Sequence, residues 1–209
     1  MGLDGIKANI FYPFWMFKQY AIFALGAFIA FMPAVAKCLT SGPKSFAMNT
    51  DLFDFLSKLP LGKTVFSGIC NLVTPYTGSI GSTVQSLTQE KCVVTMQDRS
   101  WLRNPFSSIH AVALTNLGEF ASGMALVSYM QHFKGIKGIP TRIDTTFYKK
   151  SRGEITATGL VPIQEFKNHL EDEQFEIVVT AEMTNSKGEK LAVTKVYWQI
   201  RNKEASKTK

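Results

Sequence analysis

The sequence predicts an α+β fold, a curled antiparallel sheet of about six strands around one long central helix, with an apolar helical segment ahead of it. Three observations predict it. The stretch from Asn104 to Met130, NPFSSIHAVALTNLGEFASGMALVSYM, reads as a helix led into by a polar loop. Beyond Pro105 its one formal charge is Glu119 and its one histidine is His110. A helix on a wet surface shows a charged stripe, so a helix without one is enclosed by other structure. The second observation is the order of the flanking segments, two strand-like runs before the helix and four after it. The third is physical: such a sheet has to cover one apolar face, and this helix is the one large element able to do so.

Taken in order, residues 1–50 form an apolar helical segment and a linker, residues 51–201 the globular domain, and residues 202–209 a basic, flexible tail. The run from Tyr20 to Ala36 is uncharged and would make about 25 Å of helix, at the short end of a membrane span. Trp15, Tyr12, Tyr20 and Lys18 suit a membrane interface. Residues 8–36 are therefore read as a membrane anchor that spans the bilayer or lies in its interface. A signal peptide and a helix packed on protein are the alternatives, and Ala34-Val35-Ala36 mimics a cleavage site. Asp51 can cap a short amphipathic helix over Leu52 to Leu59, which Pro60 stops. Pro75-Tyr76-Thr77-Gly78 reads as a turn. Strands are expected over Ser79 to Leu87 and Lys91 to Asp98, with Val94 and Met96 on one face. After the central helix they are expected over Pro140 to Lys149, Glu154 to Pro162, Gln174 to Asn185 and Lys190 to Arg201. Ser151-Arg152-Gly153 and Ser186-Lys187-Gly188-Glu189 read as hairpin turns. Glu165 to Asp172 is a helical turn or a polar loop.

The net charge of +7 favours anionic partners: a membrane surface, a phosphate-bearing ligand or a nucleic acid. Nucleic acid is disfavoured because no aromatic-and-basic stripe or helix-turn-helix spacing is present. The three cysteines, Cys38, Cys70 and Cys92, are widely spaced, without a CxxC or Cys/His cluster. Free thiols, an intracellular and membrane-associated protein and no metal site are expected, with the mitochondrion among the candidate compartments. There is no GxGxxG, P-loop, HExxH or GxSxG.

Glu119 is the first candidate for chemistry. A half-buried carboxylate is costly unless paired or functional, and a raised pKa suits a general base or a nucleophile toward an acyl group. The plain alternative is a partly exposed helix glutamate. Ser107 or Ser108 is expected to cap the helix, leaving backbone N–H groups that can hold an oxyanion, with Asn104 and His110 beside them. His110 as a helix-start hydrogen bonder and Asn104 as a turn residue are the bland readings. Lys149, Lys150 and Arg152 form either a phosphate clamp or a solvated hairpin. On an ideal helix the nine positions from His110 to Glu119 turn about 900°, onto opposite faces. A symmetric dimer brings His110 of one subunit toward Glu119 of the other, unless His110 still belongs to the lead-in loop, where the geometry is looser.

Three blocks carry a family resemblance: Asn104 with Ser108-Ile109-His110-Ala111 and Leu117-Gly118-Glu119-Phe120-Ala121-Ser122-Gly123; Phe147-Tyr148-Lys149-Lys150-Ser151-Arg152-Gly153-Glu154-Ile155-Thr156-Ala157; and the closing hairpin from Ala181 to Trp198. Over about Leu52 to Arg201 the chain resembles the hotdog-fold acyl-CoA thioesterase superfamily, nearest its phenylacetate-type thioesterases and their DUF4442 relatives. The resemblance implies a homodimer or higher homo-oligomer that hydrolyses a fatty or aryl acyl-CoA at the subunit interface, with no cofactor beyond the CoA of the substrate. By the resemblance Glu119 activates water or attacks the thioester, His110 and Ala111 hold its oxygen, and Asn104 places water or substrate from the other subunit. Ser108 joins the substrate-binding set, and Lys149, Lys150 and Arg152 face the CoA phosphates. The chain departs from the family pattern at Ala111 and Val112, where glycines are common, and at Glu119, where aspartate is commoner. The rival readings are a non-catalytic acyl-chain-binding or scaffolding protein at a membrane, and a dehydratase or hydratase on the same fold.

Overall fold

The structure is a computed structural model and describes residues 50–205. The expected anchor over residues 8–36 and Cys38 lie outside the described residues. Two helices come first, α1 over Thr50–Ser57 and α2 over Gly62–Val73, followed by a single helical turn, α3, over Pro75–Gly78. Strands β1 over Thr83–Leu87 and β2 over Lys91–Met96 precede the central helix α4, Ala111–Met130. Then come β3 over Ile136–Phe147, β4 over Ile155–Leu160, the short helix α5 over Ile163–Asn168, β5 over Gln174–Asn185 and β6 over Lys190–Asn202.

All six strands form one antiparallel sheet in the order β1-β2-β4-β5-β6-β3. Bulges between Val84 and Ser86, Pro140 and Arg142, and Met183 and Thr184 interrupt the register. An extra residue on one strand increases local twist, so these bulges help the sheet to curl. Its inner face presents Cys92, Val94 and Met96 from β2, Ile155 and Ala157 from β4, Ile177, Val179 and Ala181 from β5, and Val196, Trp198 and Ile200 from β6, all buried. The helix lies in this trough. It is apolar on nearly every side because nearly every side is covered: Leu117, Ala121, Met124, Ala125 and Leu126 are essentially inaccessible. This is the one helix among the described residues long and apolar enough to cross a membrane, and the sheet already encloses it. Close approach is bought by two glycines. A side chain at Gly118 would collide with Thr194 of β6, and one at Gly159 of β4 with the backbone carbonyl of Ala121.

The structure corrects several expectations. Ser151-Arg152-Gly153 is not a hairpin turn. β3 pairs only with β6 at the sheet edge, whereas β4 lies between β2 and β5. The segment between them is a crossover. The physical reason is burial: Ile155, Ala157 and Gly159 fit the centre of the trough, whereas β3 is largely exposed. The first strand begins at Thr83 rather than Ser79, because the N–H groups of Ser79 and Ile80 bond back to Pro75 and Thr77 and close a turn. At the other end, Asn202 continues β6. Its amide donates to Leu170 O and accepts from the N–H groups of Glu204 and Ala205, so the domain reaches past the start expected for a flexible tail.

Candidate active site

The helix does not begin where its serines suggest. His110 is the N-cap of α4, with extended backbone (φ −64°, ψ 138°), and its Nδ1 accepts from Val112 N at 3.1 Å. The expected cap by Ser107 or Ser108 is therefore wrong. Those serines lie in a loop closed by the bridge between Arg103 and Ile109 and by the bond from His110 N to Leu102 O. Asn104 organises that loop. Its Oδ1 accepts from Phe106 N (2.9 Å), Ser108 N (3.3 Å) and Ser108 Oγ (3.2 Å), while its own N–H donates to Ser108 O. Asn104 is thus both the turn residue of the bland reading and a lining residue of the cleft. With Oδ1 committed, only its Nδ2 donors are left for a ligand.

The crossover passes over this loop. Ile109 N donates to Ser151 O, Arg152 Nε donates to Ser107 O at 2.9 Å, and Gly153 N donates to Asp98 Oδ2 at 3.0 Å. Asp98 also accepts from Arg103 Nε at 2.8 Å and Nη2 at 3.2 Å. Its side chain is only 6% exposed. Burial alone raises its pKa, but the Arg103 bond, the Gly153 N–H and the charges of Arg103 and Arg152 more than offset this and hold it below the ordinary value. Asp98 is a hub that sequence reasoning missed, and no local pattern marks it.

Between loop and crossover lies a cleft of about 370 Å³, lined by Asn104, Ser108, Ala111, Leu114, Phe147 and Tyr148 together with Lys149, Lys150 and Ser151. Five candidates from the sequence, Asn104, Ser108, Ala111, Lys149 and Lys150, come together here. The N–H of Ala111 has no partner among the described residues and stands at the positive end of a 20-residue helix. An acceptor oxygen would be held there. Lys149 Nζ is paired with Glu189 at 3.0 Å, whereas Lys150 is exposed and unpaired among the described residues. Phe147 and Tyr148 are further lining residues that sequence reasoning did not single out. So is Ser151, buried with its Oγ unpartnered, though it sits inside the basic block already noted.

Three candidates lie outside this lining: His110, Arg152 and Glu119. Glu119 is more than two turns along α4 from Ala111, about 12 Å by helical rise. It is half-buried, and no ion pair or side-chain hydrogen bond is made by its carboxylate among the described residues. Burial raises its pKa above the ordinary value. Its Oε1 lies 3.6 Å from where a side chain at Gly123 would begin, and the Trp198 ring edge lies 3.5 Å from the same point. The burial penalty stands alone because neighbouring strands supply no countercharge: the trough-facing residues there are Thr194, Val196 and Trp198 of β6 and Ile143, Thr145 and Phe147 of β3. Cys70 and Cys92 are wholly buried thiols outside any disulfide, and burial pushes the Cys70 thiol up to about 12, so neither suits nucleophilic work. Among the described residues no group of three or more His, Cys, Asp or Glu gathers to hold a metal ion.

The fold has relatives among solved structures. It is similar to a structural-genomics protein described as genomics APC5556, at 17% identity over 73% of this chain and 97% of that one, with a TM-score of 0.61. It is also similar to PA5026 of Pseudomonas aeruginosa, described as a protein of unknown function and probable thioesterase, at 19% identity over 68% and 96%, with a TM-score of 0.58. AziG of S. sahachiroi is a third, at 18% identity over 61% and 97%, with a TM-score of 0.52. At such identities the likeness speaks for the fold, and the fold is the hotdog arrangement. The sequence matches no curated protein. Residues 62–200 match the domain of unknown function DUF4442, which is well over half of the chain, and this protein belongs to the DUF4442 family.

Proposed function

We propose that this protein is an acyl-CoA thioesterase that works as a homodimer. The observation that carries the reading is Glu119, an unpaired carboxylate on an otherwise apolar helix, raised in pKa by burial and facing the open side of that helix. A carboxylate so placed is a general base for water or a nucleophile toward an acyl carbon. The thioester oxygen accepts from the free Ala111 N–H, and the helix dipole favours the negative charge that grows on it. Phe147 and Leu114 supply apolar wall for the acyl group, and Lys150 offers a cation to the CoA phosphates. Lys149 would exchange its exposed bond to Glu189 for the same phosphates, at little cost to the fold.

Within one chain Glu119 and Ala111 are too far apart to act on one carbonyl. A dimer joined at β3 resolves this, with Ala111 from one subunit and Glu119 from the other. The support lies in β3 itself, a long edge strand with an open backbone edge and with Ile139, Ile143 and Phe147 exposed. Membrane association through residues 8–36 is part of the proposal, since it would put the enzyme where long acyl-CoAs partition. The rival reading, a non-catalytic acyl-binding protein, is favoured by that same separation of Glu119 from the cleft.

The test is thiol release from short, medium and long acyl-CoAs by the protein and by Glu119→Gln. Hydrolysis by the parent, reduced about 100-fold or more in a folded variant of unchanged oligomeric state, supports the reading. A folded, dimeric parent that binds acyl-CoA without releasing thiol would move the assignment to the binding role, and turnover of enoyl-CoA to a hydroxyacyl product would move it to a hydratase.

A further inference from the structure

Outside the lining of the cleft, the turn between α1 and α2 carries an arrangement that no contact among the described residues explains. Its sequence is Lys58-Leu59-Pro60-Leu61-Gly62-Lys63. The turn is firmly built. Leu59 N donates to Leu56 O, Gly62 N to Leu59 O and Val65 N to Leu61 O, and Phe53 meets Phe66 edge-to-face just below at 5.1 Å. At its tip Leu61 has φ +58°, the left-handed region where glycine or asparagine is at ease and a branched side chain is not. Leu61 is also the N-cap of α2 and gives no side-chain capping bond, as serine or aspartate would. Leu61 is 66% exposed, and Leu59 is 37% exposed. A leucine here therefore loses on conformation, on capping and on hydration together, with no compensating contact among the described residues. Residues that break local rules without internal return are where function is to be sought.

Lys58 and Lys63 bracket the two leucines, both exposed and neither ion-paired among the described residues. Of the acids of α1, Asp51 lies in the first turn, away from the tip, and Asp54, one turn ahead of Lys58, is not ion-paired among the described residues. We propose that this turn is a membrane-docking tip: Leu59 and Leu61 enter the interfacial region of a bilayer that carries anionic lipid, and Lys58 and Lys63 meet its phosphates. Protruding apolar side chains with cations on both flanks match the layered chemistry of that interface, acyl chains beneath and negative headgroups above. The inference is independent of the thioesterase reading and of residues 8–36. Interfacial binding by one short apolar element is weak, so a second contact would also fix how the domain faces the membrane.

A reporter at the tip tests this on the full chain. Leu61→Trp, with the parent's emission subtracted, is titrated with vesicles of phosphatidylcholine alone or mixed with phosphatidylserine, and Leu59→Trp is the second reporter. The expected result is a blue shift with the anionic vesicles and quenching by lipids brominated in their acyl chains. Both should be lost when Lys58→Glu and Lys63→Glu are added. Unchanged emission at both positions, whether or not the protein sediments with the vesicles, overturns the proposal. An equal shift on neutral vesicles overturns the role given to the lysines. Leu61→Gly should melt at or above the parent's temperature; a lower one would mean that Leu61 serves the fold, and the proposal would fail.

Discussion

Glu119 sets the pH behaviour of both the fold and the proposed reaction. Burial lifts its folded-state pKa above the value it has in the unfolded chain. The folded protein therefore holds the proton more tightly. The stability from that proton is fully present below the unfolded value and is lost as pH rises through the folded one. Once ionised, the carboxylate sits half-buried with no partner among the described residues, so Glu119→Gln should raise the melting temperature on the alkaline side, at about pH 8, with the gain fading by about pH 4. Equal gains at both ends would mean that the effect is steric rather than electrostatic. Catalysis has the opposite dependence, because a base or nucleophile must be ionised. The acid limb of kcat/KM in the parent should fall above the ordinary glutamate range, and a limb within that range would mean that burial is relieved when substrate binds. The same carboxylate would thus be a cost to the fold and a requirement of the activity.

At the scale of elements, the two glycines of α4 separate packing from propensity. Gly118 lies against β6. A methyl group there would come within 2.6 Å of Thr194 Cβ, which is part of a strand and cannot swing aside, and 3.0 Å from Met183 Cε. Gly118→Ala should lose about 1–3 kcal/mol in denaturant unfolding despite the better helix former. Gly123 differs, since a methyl group there would meet its neighbours at 3.5 Å and 3.6 Å, ordinary contact. Gly123→Ala should gain up to about 1 kcal/mol. If both variants shift stability in the same direction, the helix is not seated on β6 as described. The sequence marks both positions as glycines in a helix and cannot tell them apart, because the difference lies in what stands opposite. The same distinction runs through the fold. β5 begins and ends where its alternation and flanking turns place it, and the encircled helix is legible in its missing charges. The crossover after β3 is not legible, since Ser151-Arg152-Gly153 satisfies a hairpin as well as it does a crossover. Strand order is decided by which strand best fills the trough. His110 as the cap is hidden for another reason: two serines just ahead are better capping residues, and it is long-range pairing, the bridge between Arg103 and Ile109 and the bond from His110 N to Leu102 O, that holds them in the loop.

For the molecule as a whole, the crossover gathers Lys149, Lys150 and Ser151 at one end of α4, and β3, with its open edge, lies next to β6, the strand on which Gly118, the neighbour of Glu119, is seated. In this geometry the proposed site is complete only when two chains supply its halves, and subunit mixing can test that. The oxyanion donor can be removed cleanly. Ala111 is the first residue of α4, where proline is tolerated, and His110 before it already has the extended backbone that a following proline requires. Ala111→Pro should therefore fold and dimerise while deleting the one N–H that the reaction needs. Glu119→Gln deletes the carboxylate. Each variant alone should be nearly inactive. After equal amounts are unfolded and refolded together, about half of the dimers are mixed, and each mixed dimer has one site with both groups intact, so about a quarter of the parental activity should return. If the site lay within one chain, every site in the mixed dimers would still lack one group, and nothing would return. Recovery in refolded mixtures, with none when the two variants are combined without exchange of subunits, would place Ala111 and the partner subunit's Glu119 around one carbonyl.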